Sequence, residues 1–117
     1  LCRAAALPIM YHSDGSFWPV LDDLLGMGIA AIHPVEPKGM GADLPQLRRR
    51  MAGRCLVGGI DLDILIRGTP ADVALETRRL LGALGPAGYI AGSSNSLPPE
   101  VPLANYQALL RAVQEYG

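Results

Sequence analysis

CLVGGIDLDILIRGTPAD, residues 55–72, contains the change from strand to helix that decides the fold. The run at 55–60 is short and apolar throughout, which is typical of a strand in a parallel sheet with both faces buried. Asp61 ends this run, and Leu62–Ile66 follows as a short helical turn. The stretch therefore predicts a buried strand that leads directly into helical structure beyond an acidic residue.

The same stretch ends in the strongest helix start of the chain. Thr69 can cap a helix, Pro70 pre-sets the first helical φ, and Asp72 can bond back to the cap in a capping box. Side chains then recur at helical spacing until Gly85–Pro86 breaks the helix. The positions predicted to face the core are Val73, Thr77, Leu80, Leu81 and Leu84.

The order of strand, turn and helix repeats along the chain. Further strands are predicted at Pro8–His12, Ile29–His33 and Tyr89–Ser93, with helices beginning near Pro19, Asp43 and Leu103, the last with Tyr106, Leu109, Leu110 and Val113 on one face and its end at Tyr116. Strands that alternate with helices form βαβ crossovers, so we predict an α/β fold with four βα units of a parallel TIM (β/α)8 barrel. An open doubly wound sheet is the alternative, although no G-x-G-x-x-G follows the first strand.

Composition and charge indicate one domain without a nucleic-acid footprint. Of the 117 residues, 50% are hydrophobic and 18% are charged, below the roughly 25% of an average soluble domain. The net charge of −1 argues against a basic binding surface, and Arg48–Arg50 is interpreted as the solvated end of a helix. Two cysteines, Cys2 and Cys55, favour a reducing, cytoplasmic setting. No apolar run approaches the about 18 residues of a membrane span.

A polar set follows the four predicted strands. The working groups of a parallel barrel cluster at the carboxyl ends of its strands, so these residues are expected to share one edge. Three of the four ends carry an imidazole or a carboxylate. The set comprises His12 and Asp14 after the first strand, His33 and Glu36 after the second, Asp61 after the third, and Ser93, Ser94 and Asn95 after the fourth.

Four of these residues also have a structural explanation. His12 can hydrogen-bond to the neighbouring strand end, and His33 precedes a proline, which favours a structural role. Asp14 can fix the turn at the following glycine. Asp61 can cap the short helical turn, although the preceding glycine pair lets a ligand approach the backbone and favours function.

Five segments together resemble the uroporphyrinogen decarboxylase superfamily. They are His12-Ser13-Asp14-Gly15, Pro34-Val35-Glu36-Pro37, Gly58-Gly59-Ile60-Asp61, Gly68-Thr69-Pro70 and Pro102-Leu103-Ala104-Asn105-Tyr106. The resemblance as a whole covers about residues 7–117. The resemblance implies the C-terminal half of a (β/α)8 barrel, strands five to eight. It also implies that residues 1–117 form a single half-barrel domain that is a fragment or a truncated version of a full barrel.

The resemblance separates two branches of the superfamily. Decarboxylases place a histidine after the last strand, where this chain has Asn95, which cannot carry the same charge. Methyltransferases that work with corrinoid proteins use a zinc-bound His-x-Cys pair and a later Cys; His12 matches, but Asp14 and Asn95 replace the thiolates. The chain is most similar to a third group that keeps His-Ser-Asp-Gly and Pro-Val-Glu-Pro, some of whose members are related to methyltransferases.

These expectations define the hypotheses on function. The first is an enzyme of the methyltransferase-like branch, with catalytic roles for His12, Asp14 and Asp61, substrate contacts from Glu36, Ser94 and Asn95, and a divalent metal such as zinc on His12, Asp14 and Glu36. The alternatives are uroporphyrinogen III decarboxylation in haem biosynthesis, and an inactive half barrel that only folds and dimerises. The partners expected are a second copy or a complementary half barrel, because an open sheet has bare edges, and a corrinoid protein.

Overall fold

The computed structural model describes residues 4–40 and 43–117, so Cys2 lies outside the described residues. Four strands alternate with helices along the chain. The strands are β1 (Met10–His12), β2 (Ala31–Val35), β3 (Cys55–Ile60) and β4 (Tyr89–Ser93). The helices are α1 (Leu21–Gly26), which follows a 3-10 turn at Trp18–Val20, then α2 (Pro37–Met40), α3 (Leu44–Arg50), α4 (Leu62–Arg67), α5 (Pro70–Leu84) and α6 (Leu103–Tyr116).

The strands form one parallel sheet in the order β1-β2-β3-β4. Parallel crossovers are right-handed almost without exception, so connections that always step in the same direction place their helices on one face of the sheet. A doubly wound sheet requires a reversal of strand order, which this sheet does not contain. The arrangement therefore confirms a partial (β/α)8 barrel and excludes the doubly wound alternative.

The two faces of this sheet differ in burial. Residues that are paired in parallel register share a face, and Ile32 and Leu56, which form such a pair, are fully buried beneath the helices. On the other face Met10 is 56% exposed and Ile90, paired with Val57, is 57% exposed. We call this second surface the open face. The apolar runs predicted strands buried on both faces, and the open face is the one that lines the interior when a barrel is closed.

Local sequence signals positioned several elements well. The bounds of β3 and β4 are those predicted, and Thr69 and Asp72 form the predicted capping box at the start of α5. The Asp43 side chain accepts the hydrogen bond of the Gln46 amide and caps α3. The predicted stripe of α5 is buried at Val73, Thr77, Leu80 and Leu84, whereas Leu81 is only half-buried.

Several predictions on local structure were wrong, and β1 and β2 each begin two residues later than predicted. The strand β2 continues past His33 to include Pro34 and Val35, because a register shift between Ile32 and Val35 accommodates a residue that lacks an amide proton. Leu110 is 45% exposed, since α6 packs through the smaller set Asn105, Ala108, Leu109 and Ala112. Arg48 is half-buried rather than solvated.

Candidate functional site at the carboxyl ends of the strands

Two histidines face each other on the open face, His12 at the end of β1 and His33 within β2. His12 and His33 are paired in the parallel register, so their side chains leave the sheet side by side. Their Nδ1 atoms are 2.7 Å apart and their rings are stacked, with centroids 4.9 Å apart and planes inclined by 29°. At this distance one Nδ1 atom donates a hydrogen bond and the other accepts it, so a hydrogen-bonded proton lies between the two rings.

Asp14 extends this pair on the other side of the His12 ring. Its Oδ1 atom lies 3.8 Å from His12 Nε2, and the two side chains are 60% and 59% exposed. Gly15 follows with a φ of +138°, a conformation that side chains rarely adopt, and it turns the chain so that the carboxylate stays beside the ring. Carboxylate, imidazole and imidazole thus form a continuous polar row, which we call the histidine row.

A second polar group joins the loops after β2 and β3. Lys38 Nζ lies 3.3 Å from Asp61 Oδ2 and 3.5 Å from Asp63 Oδ2. The hydrogen bond to Asp61, followed by its negative charge, raises the pKa of Lys38. The Asp61 Oδ1 atom accepts the Asp63 amide as the N-cap of α4, so both oxygens of Asp61 already have partners. The predicted structural role of Asp61 is confirmed, and its catalytic role stays a prediction.

The loop after β4 is held by its own side chains. Ser94 is 3% exposed, and its amide donates to the Ile60 carbonyl at 2.7 Å, which fastens the loop to the end of β3. The Asn95 side-chain oxygen accepts the Ser96 amide at 2.7 Å, and Ser93 Oγ donates to the Asn95 carbonyl at 2.6 Å. Both predicted substrate-binding residues therefore lie at the carboxyl edge, where Asn95 also stabilises a turn.

The third predicted substrate contact, Glu36, also lies at this edge. It is half-buried between the end of β2 and the start of α2, so the structure places it in the expected layer. Its predicted contact with substrate remains a prediction.

The donor atoms of this edge do not fit a zinc site by themselves. Among residues 4–40 and 43–117, no group of three or more His, Cys, Asp or Glu side chains is arranged to hold a metal ion. His12 Nδ1 is directed at His33, which leaves Nε2 and one Asp14 oxygen as neighbouring donors. Zinc sites normally use three or four protein ligands. The predicted metal role of His12, Asp14 and Glu36 would therefore require donors from outside this chain.

His33 was predicted within the polar set but with a structural role, and the contacts of Lys38 with Asp61 and Asp63 were not predicted. His12 and His33 each end a predicted strand, so pairing those strands in parallel register would have placed the two rings together. No comparable signal marks Lys38, because its partners lie beyond the next strand and helix. The parallel register of these two strands was thus the information that would have predicted the contact between the histidines.

Fold and site together define a barrel protein with polar groups at the strand ends. The sequence model of the family described as uroporphyrinogen decarboxylase (URO-D) matches residues 2–116. The chain therefore belongs to the uroporphyrinogen decarboxylase family. No curated protein matches it at a significant level.

A solved structure supports the same fold. A methyltransferase from Methanosarcina mazei is similar to 98% of this chain, with a TM-score of 0.76 and 22% sequence identity. The matched part is 33% of that protein, so this chain spans about a third of the length of its structural relative. A sequence identity of 22% supports a shared fold.

No helix within the described ranges is long and apolar enough to cross a membrane.

Proposed function

We propose that this chain supplies the residues that hold and donate a proton in a methyl-transfer site, in an enzyme of the methyltransferase-like branch of the family. The observation that carries the proposal is the contact of 2.7 Å between the Nδ1 atoms of His12 and His33, with Asp14 beside the other nitrogen of His12. Family membership and the fold shared with a methyltransferase support this direction. The methyl acceptor that we propose is a corrinoid carried by a partner protein.

The histidine row suits the proton that methyl transfer requires. When a nucleophilic acceptor attacks the methyl carbon of a methoxy or methylthio compound, the bond from carbon to oxygen or sulfur breaks. Its electron pair stays on the heteroatom, which takes a proton from an imidazole and leaves as a neutral alcohol or thiol. The methyl group is bonded to the acceptor, and the imidazole is left without that proton, so atoms and charges balance.

Asp14 and His33 have distinct roles in this scheme. Asp14 stabilises the charged form of His12 from the side of Nε2, as a carboxylate does beside an imidazolium. His33 holds the ring from the side of Nδ1 and shares a proton with it across 2.7 Å. The two contacts together fix the plane of the His12 ring at the mouth of the barrel, where a substrate would enter.

Methyl transfer from a panel of methoxy and methylthio compounds to free cob(I)alamin tests the proposal, with the reaction followed by absorbance. Loss of a general acid costs about 100-fold or more in rate, so His12→Gln and His33→Gln should each slow transfer by about that factor. Asp14→Asn should slow it by about 10-fold, because it removes charge stabilisation and leaves the acid in place.

Asp23→Asn is the matched control, since Asp23 is an exposed aspartate on α1, outside the histidine row. It should transfer methyl groups at the unaltered rate. Circular dichroism establishes that each variant keeps its fold. Equal rates in all four variants, or no transfer by the unaltered chain above the background of cob(I)alamin alone, would contradict the proposal.

A further inference from the structure

The strand β2 contains a bulge directly after the histidine that it contributes to the site. The register with β3 shifts between Ile32 and Val35, so His33 and Pro34 lie opposite Val57 alone. Residues two apart in a regular strand share one face. The extra residue lets His33 stay on the open face while Val35 is fully buried in the core. The bulge thus sets the direction of the His33 ring, as bulges beside active sites commonly do.

Gly58 of β3 supports this bulge from below. A Cβ atom at this position would lie 3.2 Å from both Pro34 Cβ and Val35 N, and 3.1 Å from the Ser93 carbonyl oxygen. Its φ of +103° is also a conformation that side chains rarely adopt. The bulge therefore packs directly on the backbone of β3, and a side chain at residue 58 would push β2 away.

The Tyr89 hydroxyl holds the same glycine in place. It donates a hydrogen bond to the Gly58 carbonyl at 2.7 Å. The hydroxyl oxygen lies 2.8 Å from the position that a Cβ atom of Gly59 would occupy, so this second glycine makes room for it. Burial raises the pKa of Tyr89, which keeps the hydroxyl protonated and able to donate. The space beside this glycine pair was predicted to admit a ligand, and Pro34 and the Tyr89 hydroxyl occupy it.

We propose that Tyr89 is a positioning residue for His33, and that it acts through Gly58 and the bulge of β2. The hydroxyl fixes Gly58, this glycine supports the bulge, and the bulge aims the His33 ring at His12 Nδ1, 2.7 Å away. Tyr89 packs against the core outside the histidine row, so it affects the row only through the backbone of β2 and β3. The catalytic importance of this positioning rests on the proposed function, whereas the positioning itself is measurable without a substrate.

The ring nitrogen resonances of His33, measured by NMR, test the positioning. His12→Asn removes the pair and gives the reference for an unpaired His33 ring. Tyr89→Phe removes only the hydroxyl, so the His33 resonances should move towards this reference while the circular dichroism spectrum stays native. The rate of methyl transfer should fall about 10-fold, because a misplacement of about 1 Å can cost about 100-fold. Tyr106→Phe is the matched control, since Tyr106 is half-buried on α6, and should change neither quantity.

A second variant tests the contact between Gly58 and the bulge. Gly58→Ala adds the methyl group for which the bulge leaves no room, and it should separate the two histidines more than Tyr89→Phe does. Gly53→Ala is its control and should leave the His33 resonances unaltered. Gly53 also has a positive φ, of +75°, but a Cβ atom there would meet no described atom within 4 Å beyond its chain neighbours. If Gly58→Ala does not fold, Tyr89→Phe decides alone.

Three results would overturn the proposal. Unaltered His33 resonances in Tyr89→Phe would do so, as would an equal shift in Tyr106→Phe. Identical resonances in the unaltered and His12→Asn chains would also do so, because there would be no pair to position. A shift in Tyr89→Phe, together with no methyl transfer by the unaltered chain, would support the positioning and contradict only the proposed function.

Discussion

The amino and carboxyl ends of the sheet are held together in different ways. At the amino end arginines bind the backbone: Arg48 donates to the carbonyls of Gly88, Met51 and Arg54, and Arg54 Nε donates to the Ile29 carbonyl at 3.0 Å. At the carboxyl end side chains bind largely to one another and stay accessible, as His12 does with Asp14. One end is a network of guanidinium and carbonyl groups, and the other is a set of titratable pairs.

This difference indicates that the amino end of the sheet contributes to stability, whereas the carboxyl end remains available for function. Guanidinium groups hydrogen-bonded to carbonyls order three loops at the amino end, and few of their donors remain available to a ligand. Exposed ion pairs at the carboxyl end contribute little to folding, because solvent screens them. Such pairs are therefore free to change partners when a substrate arrives. The division agrees with barrel enzymes generally, whose active sites lie at the carboxyl ends of the strands.

The largest effect is expected at the amino end, from Arg48→Met. The substitution leaves the Gly88, Met51 and Arg54 carbonyls without their donor, and hydrogen bonds from charged groups contribute about 1.5–3 kcal/mol each. We expect the free energy of unfolding to fall by about 2–4 kcal/mol, measured by urea denaturation at one fixed protein concentration. Arg49→Met is the control, because Arg49 is exposed, and should change it by less than about 0.5 kcal/mol. Equal effects of the two substitutions would remove the distinction between the two ends.

A smaller effect is expected from Lys38, which is the single lysine of the chain. Its pKa in the folded protein is raised above the ordinary 10.5, mainly by the hydrogen bond to Asp61. A raised pKa stabilises the folded state below the unfolded value, and this contribution is lost as the pH rises through the folded value. Titration of the Lys38 side-chain resonance by NMR should therefore give a midpoint above 10.5, and Asp61→Asn should lower it towards that value. An unchanged midpoint in the variant would show that the pair does not form.

The smallest effect on stability is expected from His12→Asn in the histidine row. His12 is more than half exposed, so its loss should change the free energy of unfolding by less than about 0.5 kcal/mol. The ring nitrogen resonances of His33 should nevertheless shift, since its Nδ1 loses the partner 2.7 Å away. If His12→Asn destabilised the chain as much as Arg48→Met, the carboxyl end would be structural as well.

The correct predictions lie where the sequence signal is local. The capping box at Thr69 and the apolar runs of β3 and β4 depend on neighbours a few residues away, and the structure has them where they were predicted. Repetition of strand and helix was enough to predict the partial barrel. Strand β2 lies further along the chain than predicted, because the register shift between Ile32 and Val35 lets the intervening proline remain within the strand.

Contacts over long separations could not be predicted in the same way. Arg48 was interpreted as part of a solvated run, yet it reaches a carbonyl 40 residues further along the chain. His33 was interpreted as structural because it precedes a proline, and its contact with His12, 21 residues away, was not predicted. In both cases the side chain has several possible partners in sequence, and only the packing of strands against loops selects one.

The short length of β1 has a consequence for motion at the site. Within residues 4–40 and 43–117 this strand has three residues and pairs with β2 alone, whereas β3 has six residues and a neighbour on each side. Amide exchange with solvent should therefore be fastest in β1, because an edge strand opens without disturbing the rest of the core. Each opening separates the His12 ring from His33. The rigidity of this histidine pair is thus set by whatever packs against the outer side of β1. A neighbouring strand there would keep His12 and His33 in contact.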